Sequence, residues 1–319
     1  MATIIREETA KRNNKTIVTL AGDFVAPSLL SSIDQGFGMI DVLNEVGVDY
    51  VCLGNHETDI PYTALVKRIA QFKGTFINTN MPTFSPSLPK DCKIKITSQD
   101  GSHNREIAFL GLLLHDKTIY REGVFGGAEL HPIRDALLEY TTANSSSVDA
   151  IIPLTHQDQA DDNAMAEEGK GLKIPLILGG HDHEIYTGTH NGCVMLKAGM
   201  DAKHVAVVDV EWNNAEATFP TVSYELIKAK LSTPDPNVQA SVDLHMKKLA
   251  ELDELVLFTM SKDDLLYKHF MTFAKFPMGE MLSSKRIRFQ QTTAGSMMCT
   301  AVERVLDTDF VFITSGSIR

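Results

Sequence analysis

The chain has 319 residues, 43% of them apolar, enough for one large globular domain or two medium ones. Its 30 basic against 41 acidic residues give a formal charge of -11, which disfavours a nucleic-acid backbone as the main partner unless a metal or a local basic patch intervenes. The N-terminal stretch holds Arg6, Glu7, Glu8, Lys11, Arg12 and Lys15 and no long apolar run, so neither a secretory leader nor a membrane partner is expected, and the sequence reads as cytoplasmic.

In chain order, strand-like runs alternate with helical patterns: TIVTLAG (16–22), MIDVLNEVG (39–47), DYVCLG (49–54), YTALVKRIAQF (62–72) and TFINTN (75–80). REIAFLGLLL (105–114), a helix PIRDALLEYTTAN (132–144), DAIIPLT (149–155), a helix from Asp161 and IPLILGG (174–180) continue the alternation. This order predicts an α/β layered domain, and the near-continuous apolar strands predict a sheet covered on both faces. Three further strands follow without intervening helices, NGCVMLKAG, HVAVVDVEW and TVSYELIKAK, fit to close or extend a second sheet. LSTPDPN (231–237) then breaks the pattern and divides the chain into domains 1–230 and 231–319. Beyond it lie helices in VQASVDLHMKKLAELDELV and AGSMMCTAVERVL, and DFVFITSGSIR reads as a strand running into a turn. Because a fold would continue past such a turn, the second domain is expected to be partial. Cys52 and Cys193 sit in apolar runs, and with Cys92 and Cys299 they show no metal-ligand spacing, so all four are expected to be reduced and structural.

Four stretches share one property: each follows an apolar strand and places metal-capable side chains next. They carry Asp23 in TLAGDF, Asn55 and His56 in CLGNHETD, His156 in IPLTHQDQADD, and His181 and His183 in LILGGHDHE. Each piece alone has an ordinary explanation as a turn, a helix cap or a hydrogen-bonded loop histidine. Together, at carboxyl ends of strands that share one rim of an α/β sheet, they are expected to converge. A carboxylate, an amide oxygen and imidazoles without a thiolate suit a hard or borderline divalent ion, Mn, Zn, Co or Fe. Glu57 has no part in this scheme and is expected to be a solvated or capping carboxylate.

The run GDFVAPSLLSS, GMIDVLNEVGVDYVCLGNHETD, LTHQDQADD, LILGGHDHE resembles the calcineurin-like metallophosphoesterases, and within them the 5′-nucleotidase group, from about Thr16 onward. RFQQTTAGSMMCTAVERVLDTDFVFITSGSIR is similar to the start of that group's second domain. The resemblance implies a four-layered αββα sandwich followed by the beginning of an α/β substrate-binding domain, with a site for two ions. Carried over by position, Asp23 would bridge both ions, Asn55, His156 and His181 would complete one, and His183 would bind the other. His56 would stabilise charge or protonate the leaving oxygen, with Asp59 orienting its ring, and Arg319 would face the substrate. The implied activity is metal-dependent release of phosphate from nucleotides by attack of an activated water. Within the same chemistry a 2′,3′-cyclic phosphodiesterase or another small-phosphoester phosphatase fits as well.

The group's first motif, Asp-x-His on an earlier strand, has no counterpart: no aspartate precedes Asp23 and no histidine precedes His56. Residues 2–13 look instead like the helix that follows that strand. The expectation is a truncated sequence, whose full-length form would be exported if a leader preceded it. Alternatively it is a variant with one strong ion site made from Asp23, Asn55, His156 and His181. Weak or absent turnover, or a non-catalytic binding role, goes with either.

Overall fold

Side chains along a strand alternate between its faces, so a strand apolar at every position must be covered twice. In β5 (Asn104–Leu113), Ile107 and Phe109 face one way while Ala108, Leu110 and Leu112 face the other, all buried. The same division holds in β6 (Ala150–His156), where Ala150, Ile152 and Leu154 oppose Ile151. The computed structural model in which this is seen describes residues 1–12, 15–116, 118–253 and 290–314. It has two compact units, Met1–Leu249 and Ala250–Arg319.

The first unit is a layered α/β structure. α1 (Ala2–Lys11) leads into β1 (Thr19–Ala21), which with β2 (Tyr50–Cys52) and β3 (Thr75–Ile77) forms a three-stranded parallel sheet in the order β1-β2-β3. Between these strands lie α2 (Leu29–Asp34), α3 (Phe37–Val46) and α4 (Tyr62–Gln71). A second sheet has six strands in the order β4-β5-β6-β7-β9-β8. Its parallel centre is β5, β6, β7 (Leu176–Gly179) and β9 (Cys193–Ala198), with β4 (Asp91–Thr97) and β8 (Ile185–His190) as antiparallel edges.

Cys52 and Ile77 of the first sheet share one buried cluster with Ile107, Phe109, Ile152, Leu154, Leu176 and Val194 of the second, so the sheets pack face to face. Val51, Leu53 and Phe76 turn outward onto α1, α3 and α4. On the far side, Leu110, Ile151, Ile177 and Met195 pack against α5 (Ile133–Asn144) and α6 (Gln159–Glu168). The layers therefore run helix, sheet, sheet, helix, as the resemblance implies. Each fully buried Leu, Ile or Val contributes about 1.5–3 kcal/mol, which makes this double coverage the main source of stability.

β10 (His204–Glu211) and β11 (Thr221–Lys228) form a separate antiparallel pair, whose Val208, Val210 and Val222 lean on the inter-sheet cluster. Arg12 grips Asp209 of β10 with two parallel bonds, Nε to Oδ1 at 2.8 Å and a terminal nitrogen to Oδ2 at 2.9 Å. The segment 231–237 is held to α1: Thr3 donates to the Thr233 carbonyl at 2.6 Å, and Arg6 pairs with Asp235. α7 (Pro236–Asp253) begins there, and the division between the units falls inside it. In the second unit α8 (Thr293–Leu306) starts at Thr292, whose hydroxyl accepts from Gly295 N–H.

Two strands escape the sequence reading, β4 and β8, both edges with one polar side. The strand read at 309–319 is corrected: residues 310–314 carry no ladder, for want of a partner strand among the described residues, and 315–319 lie outside them. Among the described residues no helix is long and apolar enough to cross a membrane.

Candidate metal centre

The site is built where β1, β2, β6 and β7 end. β1 runs into Gly22 and Asp23, both in the left-handed backbone region with φ of 74° and 55°. A side chain on Gly22 would place its Cβ 2.4 Å from His156 Nδ1, so only glycine lets the loop pass the imidazole. The turn leaves successive N–H groups of the Asp23 loop pointing inward, where each needs an acceptor. Glu57 supplies it. Its fully buried carboxylate accepts from Asp23 N–H at 3.0 Å, Phe24 N–H at 2.9 Å and Val25 N–H at 3.0 Å, and also from Gly54 N–H. Glu57 is therefore not solvated; it caps its own turn, Asn55–Asp59, and ties the Asp23 loop to the Asn55 loop. Burial and the Asp23 charge push its pKa up, against the pull of the backbone amides.

Above this base four of the five expected ligands meet. His156 Nε2 lies 3.0 Å from Asp23 Oδ2 and 3.1 Å from Asn55 Oδ1, and His181 Nδ1 lies 3.1 Å from the same Asn55 oxygen. Ligand atoms of Asp23, His156 and His181 all fall within 4.8 Å of one another. His156 Nδ1 sits 2.8 Å from the Ala21 carbonyl, which can only accept, so that nitrogen carries a proton. The Nε2 lone pair then faces two oxygen acceptors. Asp23 Oδ2 is buried and lacks a well-aligned hydrogen bond of its own. Acceptors turned on one another at this range need positive charge among them.

A divalent cation or a proton on Nε2 would each supply it. Burial works against charge on His156, but the adjoining Asp23 carboxylate outweighs it and holds the imidazole pKa above its ordinary value. Burial likewise raises Asp23, and its bond to His156 more than offsets this and holds the carboxyl below its ordinary value. His181's pKa is lowered, by burial first and then by the nearby His156, a shift toward the neutral form that can ligate. Its Nε2 lies 3.6 Å from Asp158 Oδ1. A carboxylate, an amide oxygen and two imidazoles with no thiolate fit a hard or borderline divalent ion.

His56 stands beside the group. Its N–H donates to Asp23 Oδ1 at 2.8 Å, and its ring Nδ1 lies 2.9 Å from Asp59 Oδ2 with both side chains partly exposed. His183, by contrast, is exposed and outside the cluster, although both it and His181 have left-handed backbone, φ 65° and 81°. Arg319 lies outside the described residues. The sequence reading missed Asp158, Glu57's bonds to the loop amides, and the buried Lys197 and Asp162 with the partly exposed Asp182 beneath the histidine loops. The one available signal for these was a lysine inside the apolar run CVMLKA.

A sequence model of the calcineurin-like phosphoesterase family matches residues 2–184, a span that contains Asp23, Asn55, His56, His156 and His181. Endonuclease YhcR of Bacillus subtilis is 23% identical over 351 residues, covering 100% of this chain and 26% of that protein. A 5′-nucleotidase of Vibrio parahaemolyticus is 22% identical over 365 residues, covering 99% of this chain and 61% of that protein. The chain thus spans less than two thirds of the length of either relative. Sulfate thiohydrolase SoxB of Thermus thermophilus shares the fold, with a TM-score of 0.68 and 20% identity over 81% of this chain and 47% of that one.

Proposed function

The chain belongs to the calcineurin-like phosphoesterase family, and from that premise we propose that it is a metal-dependent phosphoester hydrolase of the 5′-nucleotidase kind that releases phosphate from small nucleotides. The observation that carries this is the set of acceptors facing one another at Asp23, Asn55 and His156, with His181 at their side. These four residues would hold a divalent ion, Mn, Zn, Co or Fe. When bound, such an ion supplies Lewis-acid stabilisation of phosphoryl oxygens and lowers the pKa of a water.

The chain's own residues do the rest. His56, steered by Asp59 through Nδ1, keeps Nε2 for delivering a proton to the departing ribose oxygen. Glu57 keeps the Asp23 loop in place while charge develops. His183 is assigned to a second ion outside the main cluster. Substrate recognition is assigned to 231–319, with Arg319 facing the nucleotide, and catalysis to 1–230. The net charge of -11 favours a small phosphoester over a polyanion.

The test is phosphate release from a panel of nucleoside 5′-monophosphates and 2′,3′-cyclic nucleotides by the 319-residue chain with added Mn, alongside elemental analysis of bound metal. Metal-dependent release that Asp23→Asn lowers by more than about 100-fold supports the proposal. A chain that neither binds metal nor hydrolyses any member of the panel refutes it.

A further inference from the structure

Lys197 stands inside β9 between Leu196 and Ala198 and is only 2% exposed. Its ammonium donates to the Gln157 carbonyl at 2.7 Å and to the Gly180 carbonyl at 2.8 Å, lies 3.0 Å from Asp162 Oδ2, and pairs with the Asp182 carboxylate. Gln157 follows His156 in the chain, while Gly180 and Asp182 flank His181. One buried cation is thus bonded to the immediate neighbours of both imidazoles.

The surroundings are shaped for it. A side chain on Gly179 would come within 2.9 Å of Lys197 Cε and 2.8 Å of Asp162 Oδ2, so glycine there keeps the passage open. Asp162, fully buried on α6, accepts from Gln157 Nε2 at 2.8 Å, and Asp182 accepts from Gln159 N–H at 3.0 Å. Apolar residues of similar volume in place of both Lys197 and Asp162 would fill the space at no greater cost in stability, since buried ion pairs seldom repay their desolvation. What only the ammonium supplies is several donors aimed at the carbonyls of two different loops.

We propose that Lys197 is a positioning residue: it clamps the loop carrying His156 to the loop carrying His181 and so sets the spacing and orientation of the two rings toward a divalent ion. The clamp rests on the metal reading above, and its test separates the two. In the full chain, Lys197→Met combined with Asp162→Asn removes the two fully buried charges together, so the one carboxylate that loses its cation is Asp182, whose side chain is partly exposed to water. Two readouts follow: imidazole NMR resonances in the metal-free protein, and Co²⁺ affinity from its visible absorption. The expected result is an affinity lowered ~10–100-fold, with His156 and His181 resonances displaced and those of His190 and His245 unmoved. Lys197→Gln with Asp162→Asn, which keeps an amide donor for the carbonyls, should recover part of that loss. Unmoved His156 and His181 resonances, with Co²⁺ affinity within about twofold of the unaltered chain, would overturn the clamp. Equal losses in the two double variants would overturn it as well. Failure of the unaltered chain to bind Co²⁺ would instead strike the metal reading, leaving the resonances to decide the clamp.

Discussion

The two halves of the site are organised by buried charges of opposite sign. Under the Asp23 and Asn55 loops lies the Glu57 carboxylate, which gathers backbone N–H groups. Under the His156 and His181 loops lies the Lys197 ammonium, which gathers backbone carbonyls. The difference follows from how each loop leaves its strand. A tight left-handed turn after β1 presents amides inward, whereas the loops after β6 and β7 present carbonyls. A buried side chain of the complementary kind answers each, because an unmet polar group away from water is costly.

The comparison breaks most visibly at Glu57. Glu57→Ala leaves the loop amides without an acceptor and, at about 1–3 kcal/mol for each unmade buried bond, is expected to cost about 4 kcal/mol or more, read by urea unfolding. The Lys197→Met/Asp162→Asn pair should cost distinctly less, because Asp182 is partly exposed to water, and a carbonyl has a second lone pair and tolerates a lost donor better than an amide tolerates a lost acceptor. Equal costs would show that the two halves are not organised in this way.

Next in size is a purely chemical effect. His56→Ala should lower turnover by roughly 10²–10⁴-fold while metal content and melting temperature stay close to those of the unaltered chain, since the ring lies beside the ligand group. Loss of metal on this substitution would place His56 among the ligands instead.

A smaller effect sharpens the junction between the halves, the Asp23 and His156 pair. His156's pKa is raised on folding, so its contribution to stability is present below about pH 6.5 and is lost as pH rises through the raised value. Asp23's is lowered, so its contribution is present above about pH 4 and is lost as pH falls through the lowered value. With a chelator present, melting temperature should therefore be highest between about pH 4 and 6.5 and decline on the alkaline side. Added Mn should cancel that alkaline decline, because a cation replaces the proton and binds better as the imidazole loses it. An unchanged alkaline decline with Mn would separate the pair from metal binding.

The smallest effect is at Asp59, a partly exposed carboxylate. Asp59→Asn should leave stability within about 0.5 kcal/mol while lowering turnover by a modest factor through a less well oriented His56.

What the sequence by itself determined is tied to short-range pattern. Apolar runs ending in GD, GNHE, TH and GGHDH locate Asp23, Asn55, His156 and His181 at strand ends, and parallel strands put those ends on one rim. Double-sided apolar strands likewise announce the layers. Tertiary structure alone decided that Glu57 is buried while its neighbour Asp59 is exposed, that Lys197 spans two loops, that His183 stays apart from His181 two residues away, and that residues 310–314 form no strand. The edges β4 and β8 were lost in the same way, although Lys93, Ile94, Lys95 and Ile96 alternate as a half-covered strand should. The physical reason is common to all of these. A side chain's polarity and period are local properties, whereas the partner that satisfies a buried amide, carbonyl or strand edge comes from a distant part of the chain and exists only after folding.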